Sequence, residues 1–371
     1  MSVSLPPALM GRLAIRLSPQ AGKALVISRK RERGIRSDGT TSHSTKPSKS
    51  TRQVAGYRCA NFTILAGAFL LIWLGGCATP QTQALLKSRS AQLPQQVELS
   101  EVPFYPQETH QCGPASLAMA LDAGGARVTP QDLSPQMYLP GRKGSLQVEM
   151  LAVTRRTGLL AYELAPQLDE LLAEVAAGSP VVVLQNLALS WYPIWHYAVV
   201  VGYDLQRAQI ILRSGLERRQ VLPLATFEHT WKRAGYWAML ALPPSRMPRS
   251  ATEVGYIAAA VALENSGWTK GAEAAYESAL ERWPKNLTAR IGMGNTAYAQ
   301  GDVQRAENFY RQAALDHPDS AIVFNNLART LADQKRYPEA LASANQAVSL
   351  GGPEQAAARD TLEQIKKEMQ P

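Results

Sequence analysis

The feature that most narrows what this chain can fold into is a period of 34 residues in its C-terminal third. Ala272, Ala306 and Ala340 stand 34 apart, as do Ala279, Ala313 and Ala347. Tyr276 and Tyr310, Pro284 and Pro318, and Gly294 with Ala328 keep the same spacing. A fixed period of this length marks a stack of small helical units, none of which can bury its apolar face alone. Small residues at matched positions let paired helices approach, and the recurring Pro ends each unit. The all-α region is expected over 251–371, with about three units between 255 and 352 and a capping helix from Glu354 to Met369.

This pattern resembles tetratricopeptide repeats. The resemblance implies a solenoid whose concave face binds a peptide segment of a protein partner, with Asn295, Tyr298, Asn325 and Arg329 turned toward that groove. The same four residues also fit ordinary solvated helix surface. Nothing in the repeats carries chemistry.

At the other end, residues 62–74 read FTILAGAFLLIWL, an uncharged run with Arg52 and Arg58 before it. A spanning helix needs about 20 apolar residues, so this run fits the apolar core of a signal peptide better. Leu74-Gly75-Gly76-Cys77 follows directly. Apolar run, small residues and Cys in that order resemble the lipobox of bacterial lipoproteins. The resemblance implies cleavage after residue 76, a lipid on Cys77, and, with Ala78 rather than Asp next, the periplasmic face of the outer membrane. The signal segment is expected over 52–76 and a lipidated tether over 77–96. Residues 1–51 are rich in Ser, Thr, Arg and Lys without periodicity and read as disordered, or as an extension from a start codon set too early.

Charge now acquires a meaning. The formal net charge is +9, yet residues 1–76 hold 12 of the 39 Lys and Arg and 2 of the 30 Asp and Glu. The remainder carries 27 basic against 28 acidic side chains, the two totals less those counts, and is close to neutral. A nucleic-acid partner would need a basic stripe on the folded part, and none is visible. Cys59, Cys77 and Cys112 form no CxxC and no Cys/His cluster, so no metal or other cofactor is expected. Once residues 1–76 are removed and Cys77 is acylated, Cys112 is the one thiol left. It is then either a buried small hydrophobe or a group used in chemistry.

Its surroundings favour chemistry. From Pro114 the pattern is helical, with Pro in the first turn, Leu117 and Leu121 on one face, and Gly124-Gly125 as the stop. Cys112 therefore opens a helix, where backbone N–H groups and the macrodipole favour an anion. Further on, Pro180–Gln185 reads as a buried strand and His196–Asp204 as another, with Ala208–Leu212 its hairpin partner. A Cys on a helix end and a His opening a strand are the parts of a thiolate–imidazolium pair. Trp191, Tyr192 and Trp195 read as packing groups of a loop that screens His196. Gly141–Gly144 is a loop lacking the wording of a phosphate cradle. His110 reads as a surface loop residue, and His229 and His317 as solvated or capping residues on helical stretches.

PQETHQCGPASLAMAL, followed some eighty residues later by HYAVVVGYD, resembles the C39-like branch of papain-fold cysteine peptidases, which includes the double-glycine leader peptidases. The resemblance covers 97–243. It implies an α+β papain-like fold, Cys112 as nucleophile, His196 as general base and then acid, and Gln107 as side-chain donor to the oxyanion beside the Cys112 N–H. Two features depart from the family. Gln107 stands five rather than six residues before the Cys. The third member, an Asp about sixteen residues after the His in the family, is absent; that place reads Leu212-Arg213-Ser214-Gly215. Asp204 and Ser214 are the candidate orienters. The expected activity is hydrolysis of a peptide or protein outside the cytoplasm. Thiol acyl transfer, amidase activity, or a scaffold with a peptidase-like binding domain are the rival readings.

Overall fold

The computed structural model describes residues 79–88, 93–107 and 111–370. The N-terminal extension, the signal segment, the lipidation site Cys77, and His110 lie outside the described residues.

One wholly antiparallel sheet organises residues 96–242. Its strands are β1 (Gln96–Glu98), β2 (Leu160–Glu163), β3 (Val181–Asn186), β4 (Trp195–Asp204), β5 (Gln209–Ser214), β6 (Glu217–Pro223) and β7 (Ala238–Leu242), in lateral order β2-β7-β3-β4-β5-β6. β1 pairs with the far end of β4, Glu98 against Gly202, where β3 has already ended. A Cβ at Gly202 would stand 2.5 Å from the Val97 carbonyl, so this glycine admits β1. β4 is central, and its residues from Tyr197 to Tyr203 are all buried. That burial is why it reads as a continuous apolar run rather than an alternating one.

Alternation along the strands sorts side chains onto two faces. Leu184, Tyr197, Val199, Ile211 and Met239 face a core shared with α2 (Cys112–Ala123), α3 (Pro130–Met137) and α4 (Gln147–Arg156). Val183, Ala198, Val200, Leu212 and Leu240 face the other core, which includes residues of α1 (Pro80–Ser88), α5 (Leu168–Ala176) and α6 (Leu224–Lys232). Nine consecutive residues of α2, Gly113 to Leu121, are buried. Small residues among them, Gly113, Ala115, Ser116, Ala118 and Ala120, let the helix be packed closely on every side. The chain leaves α2 through Gly125 at φ 98°, with Ala126 N–H donating to the Leu121 carbonyl.

The stretch expected as a tether is partly built into this domain. The Glu228 carboxylate accepts the Gln81 and Thr82 N–H groups at 3.1 and 2.7 Å, capping the start of α1, and Leu85 enters the core. A Gln- and Thr-rich segment hides such a helix from sequence reading, because its stability comes from that buried carboxylate.

The C-terminal region is helical throughout: α7 (Glu253–Glu264), α8 (Thr269–Arg282), α9 (Leu287–Ala299), α10 (Val303–Asp316), α11 (Ala321–Asp333), α12 (Tyr337–Leu350) and α13 (Gln355–Glu368). The alanines at the 34-residue spacing, Ala272, Ala306 and Ala340, are fully buried between paired helices. The segment 243–250, which reads as a linker, is pinned. Ser250 donates through N–H and Oγ to the buried Glu174 at 2.6 and 2.7 Å, and Thr252 N–H donates to the Tyr162 hydroxyl at 3.2 Å. Tyr256, Ala260 and Leu263 of α7 belong to the same core as Leu160, Tyr162 and Leu242 of the sheet. The sheet and the first repeat helices, α7 to α9, thus share one apolar interior, while the later repeats have a core of their own.

Candidate active site

Cys112 is the first residue of α2, and its backbone starts a helix whose next residue must be small. A Cβ on Gly113 would fall 2.6 Å from Ser145 Oγ, so glycine lets the 139–146 loop close over the helix end. The thiol is half-buried. Burial pushes it above its ordinary value, against backbone groups of Tyr197, Gly113 and Cys112 itself that favour the thiolate. Tyr197 is the neighbour of His196, so helix end and strand end meet at the thiol.

His196 sits at the start of β4, opposite Gln185 of β3. Its Nε2 lies 2.9 Å from Ser214 Oγ. Burial lowers the imidazole below its ordinary value. Both shifts favour uncharged forms, so at neutral pH the site rests as thiol and imidazole. No hydrogen bond joins the two among the described residues. With Nε2 engaged by Ser214, Nδ1 is the ring nitrogen left for proton transfer.

The two candidate orienters separate cleanly. Ser214 reaches the imidazole because a β-bulge between Val200 and Gly202 shifts the β4–β5 register, while a second, between Leu212 and Ser214, offsets β5 against β6. Counting sixteen residues along an unbulged hairpin lands on Leu212, which is buried in the core. Asp204 does not orient His196. It ends β4 eight residues away, roughly 26 Å at strand rise, and accepts the Arg207 N–H at 3.0 Å in the hairpin turn.

Gln107 also departs from expectation. Its Nε2 donates to Ser116 Oγ at 3.0 Å and to the Tyr197 carbonyl at 3.3 Å, so both amide hydrogens are spent. Its Oε1 accepts the Gly215 N–H at 3.0 Å, and its own N–H donates to the Gly215 carbonyl at 2.9 Å. Gln107 is therefore a clamp. It ties α2, which carries Cys112, to β4 at the residue after His196 and to the turn just after Ser214. Its burial, 7 % exposed, follows from that role. The sequence motif marks the residue but not the direction of its amide.

Beside the thiol lies a cleft of about 240 Å³ lined by Cys112, Arg142, Lys143, Ser145, Trp195 and Tyr197, among others. The expectation that Trp191, Tyr192 and Trp195 pack inward is corrected: Trp191 is 81 % and Trp195 54 % exposed. Among the described residues no group of three or more His, Cys, Asp or Glu could hold a metal ion.

In the repeats, Asn295 accepts the Tyr310 hydroxyl at 2.8 Å, and the Tyr298 hydroxyl bonds Asp333. Both expected groove residues are thus ties between helices. Asn325 and Arg329 are half-buried, and Asn325 Oδ1 is buried without a partner.

Comparison with known proteins bears on these two regions separately. Residues 99–239 match the model of the Peptidase C39 like family, and residues 257–314 and 291–358 match a tetratricopeptide repeat model. No curated protein matches the chain. Among solved structures, a protein described as a C39-like peptidase from Bacillus anthracis is 21% identical over 39% of this chain and 96% of its own, with a TM-score of 0.33. The Yersinia enterocolitica type III secretion chaperone SycD in complex with a peptide of the translocator YopD is 18% identical over 32% of this chain and 98% of its own, with a TM-score of 0.30. The Arabidopsis OM64 TPR domain is 18% identical over 32% and 96%, also with a TM-score of 0.30. By its antiparallel sheet with flanking helices, its helical array and the two family matches, the chain is a mixed α/β peptidase C39-like domain followed by tetratricopeptide repeats.

Proposed function

We propose that this protein is a membrane-anchored cysteine peptidase that cleaves a peptide or protein outside the cytoplasm. The observation that carries the reading is the pairing of His196 Nε2 with Ser214 at 2.9 Å, on the strand whose next residue contacts the thiol of Cys112. Nδ1 of His196 takes the thiol proton as Sγ attacks the scissile carbonyl carbon. The carbonyl oxygen becomes an oxyanion against the Cys112 N–H. On collapse the C–N bond breaks, His196 returns the proton to the leaving amine, and an acyl-enzyme remains. Water, deprotonated by His196, releases the acid and restores the thiol. Gln107 is a positioning residue, because it holds both strand and turn against the helix.

The lipid on Cys77 would place this chemistry at the cell envelope, on the periplasmic face of the outer membrane. The repeats would recruit the substrate or a protein partner. Metabolic labelling with an alkynyl fatty acid, lost in Cys77→Ala, is the expected outcome, and labelling that persists in that variant would remove the anchor.

Catalysis is tested with peptidyl acyloxymethyl ketones, electrophiles that need an activated thiol, and mass mapping of the Cys112 peptide in the full chain. At pH 7 labelling should fall about 100- to 10,000-fold in His196→Ala, the range for loss of a general base. Iodoacetamide applied to the urea-unfolded chains, where the thiol no longer depends on His196, should label both proteins alike. Equal ketone labelling in both would overturn the reading. It would favour instead a binding module, an alternative to which the hydroxyl in place of a carboxylate lends support.

A further inference from the structure

The β3–β4 connection together with the first residue of β4, Leu187–Trp195, holds nine residues without one charged side chain. It is not slack. The buried Asn186 accepts the N–H groups of Ala188 and Ile194 at 3.1 and 3.0 Å and donates to the Leu189 carbonyl at 3.3 Å. Leu187 N–H donates to the Ile194 carbonyl at 2.9 Å, and Arg233 Nε, from the residue that follows α6, donates to the Asn186 carbonyl at 3.1 Å. The hairpin is thus braced from below while Leu187, Leu189, Trp191, Tyr192, Ile194 and Trp195 all face outward. A contiguous exposed apolar surface on an ordered frame marks an interaction site rather than chance exposure.

Trp195 carries this surface into the cleft that ends at Cys112. The cleft is also lined by Arg142 and Lys143; Lys143 has a left-handed φ of 48°, in a turn held by the Leu139 N–H to Gly144 carbonyl bond at 2.9 Å. Arg142 and Lys143 are exposed, and neither forms an ion pair or side-chain hydrogen bond among the described residues. Among the described residues, no carboxylate lines the cleft. Two cations without an ionic partner among the described residues, together with an apolar shelf, make the site asymmetric.

We infer that the cleft selects an extended substrate segment with a carboxylate on the Arg142–Lys143 side and bulky apolar side chains on the Leu187–Trp195 side of the scissile bond. The inference rests on the reading of Cys112 as nucleophile. A bilayer would also attract aromatic and basic groups, but a flat surface cannot enter a concavity shared by Trp195, Lys143 and the thiol.

Binding is measured on the full chain carrying Cys112→Ala, so that it does not depend on the thiol's chemistry. The probes are fluorescein-labelled dodecapeptides with an Asp pair and a Leu-Phe pair flanking Gly-Ala, in both orders, read by anisotropy. Controls replace the Asp pair by Lys, or Leu-Phe by Ser. One order of the Asp/Leu-Phe peptide should bind at least tenfold tighter than either control. Trp191→Ser with Tyr192→Ser, both far from the core, should remove the apolar preference. Arg142→Glu with Lys143→Glu should invert the charge preference toward the Lys peptide, which damage to the fold could not do. No preference, or preferences unchanged by these variants, would overturn the inference. So would hairpin-dependent binding to phosphatidylglycerol vesicles without peptide discrimination, which would assign the hairpin to a membrane. Failure of His196-dependent labelling of Cys112 would instead remove the peptidase and leave the peptide preference standing as that of a binding site.

Discussion

Ser214 differs from a carboxylate in one respect that matters to His196. A carboxylate only accepts, so it holds the proton on Nε2 and leaves Nδ1 basic. A hydroxyl can accept from Nε2–H or donate to Nε2, and so admits both tautomers. Ser214→Asp should therefore raise the His196 pKa by opposite charge and fix the useful tautomer. Wild-type kcat/KM should hold as pH falls to below about 6.5, the ordinary histidine value, because burial lowers His196 and keeps it a neutral base. In Ser214→Asp that acid limb should move up, with a higher plateau. A pH–rate profile on the two proteins checks both, and an unmoved limb would mean that Ser214 has no part in tuning the base. Gln107→Glu is the companion change. It keeps the shape but, when ionised, removes both N–H donors, which should cost about 1–3 kcal/mol of stability and lower kcat more than it raises KM. Urea unfolding alongside kinetics separates the two effects.

At the scale of elements, legibility in the sequence follows burial. β4 announces itself because it is buried on both faces, and its hairpin partner follows from the turn at Asp204–Arg207. The repeats show themselves through alanines that any close helix pair requires. β6, ERRQVLP, has no such signal, since its side chains are mostly exposed and it is held chiefly by pairing with β5 and by the Arg219–Glu98 ion pair. The bulge that brings Ser214 to His196 is likewise invisible, because a one-residue shift leaves the apolar pattern readable in either register. The aromatic hairpin shows a third limit: composition tells that Trp191 is apolar, not that Asn186 props it outward.

The repeats carry their own element-scale test. The Glu307 carboxylate, 3% exposed, receives Arg311 and Arg336 at 2.7 Å each. Burial alone would raise this carboxyl, but hydrogen bonds from Arg311, Gln334 and Arg336 bring it below the usual range. A group whose folded pKa is depressed contributes stability above its unfolded value, about 4.3 for Glu, and loses it as pH falls through the folded value. The repeat helices should thus weaken below about pH 4, and Glu307→Gln should flatten that dependence, as read by circular dichroism of thermal unfolding.

For the whole molecule, the decisive fact is the core that the sheet shares with the first repeat helices. Leu263 of α7 is fully buried in the same cluster as Leu160 and Leu242 of the sheet. Leu263→Ala should cost about 2–5 kcal/mol and lower the melting of the sheet domain together with the repeats. Calorimetry is expected to show one transition in both proteins. Two separated transitions, with one unmoved, would mean that the halves fold independently.

A shared interior also sets a length. Because residues 243–250 are pinned to Glu174 and Tyr162 rather than left loose, the repeat surface and the thiol cannot drift apart. A chain gripped by the repeats would meet Cys112 only at a fixed number of residues from the gripped segment. The protein would then act as a ruler, cutting by distance as well as by chemistry, whereas a slack joint would let the cut wander.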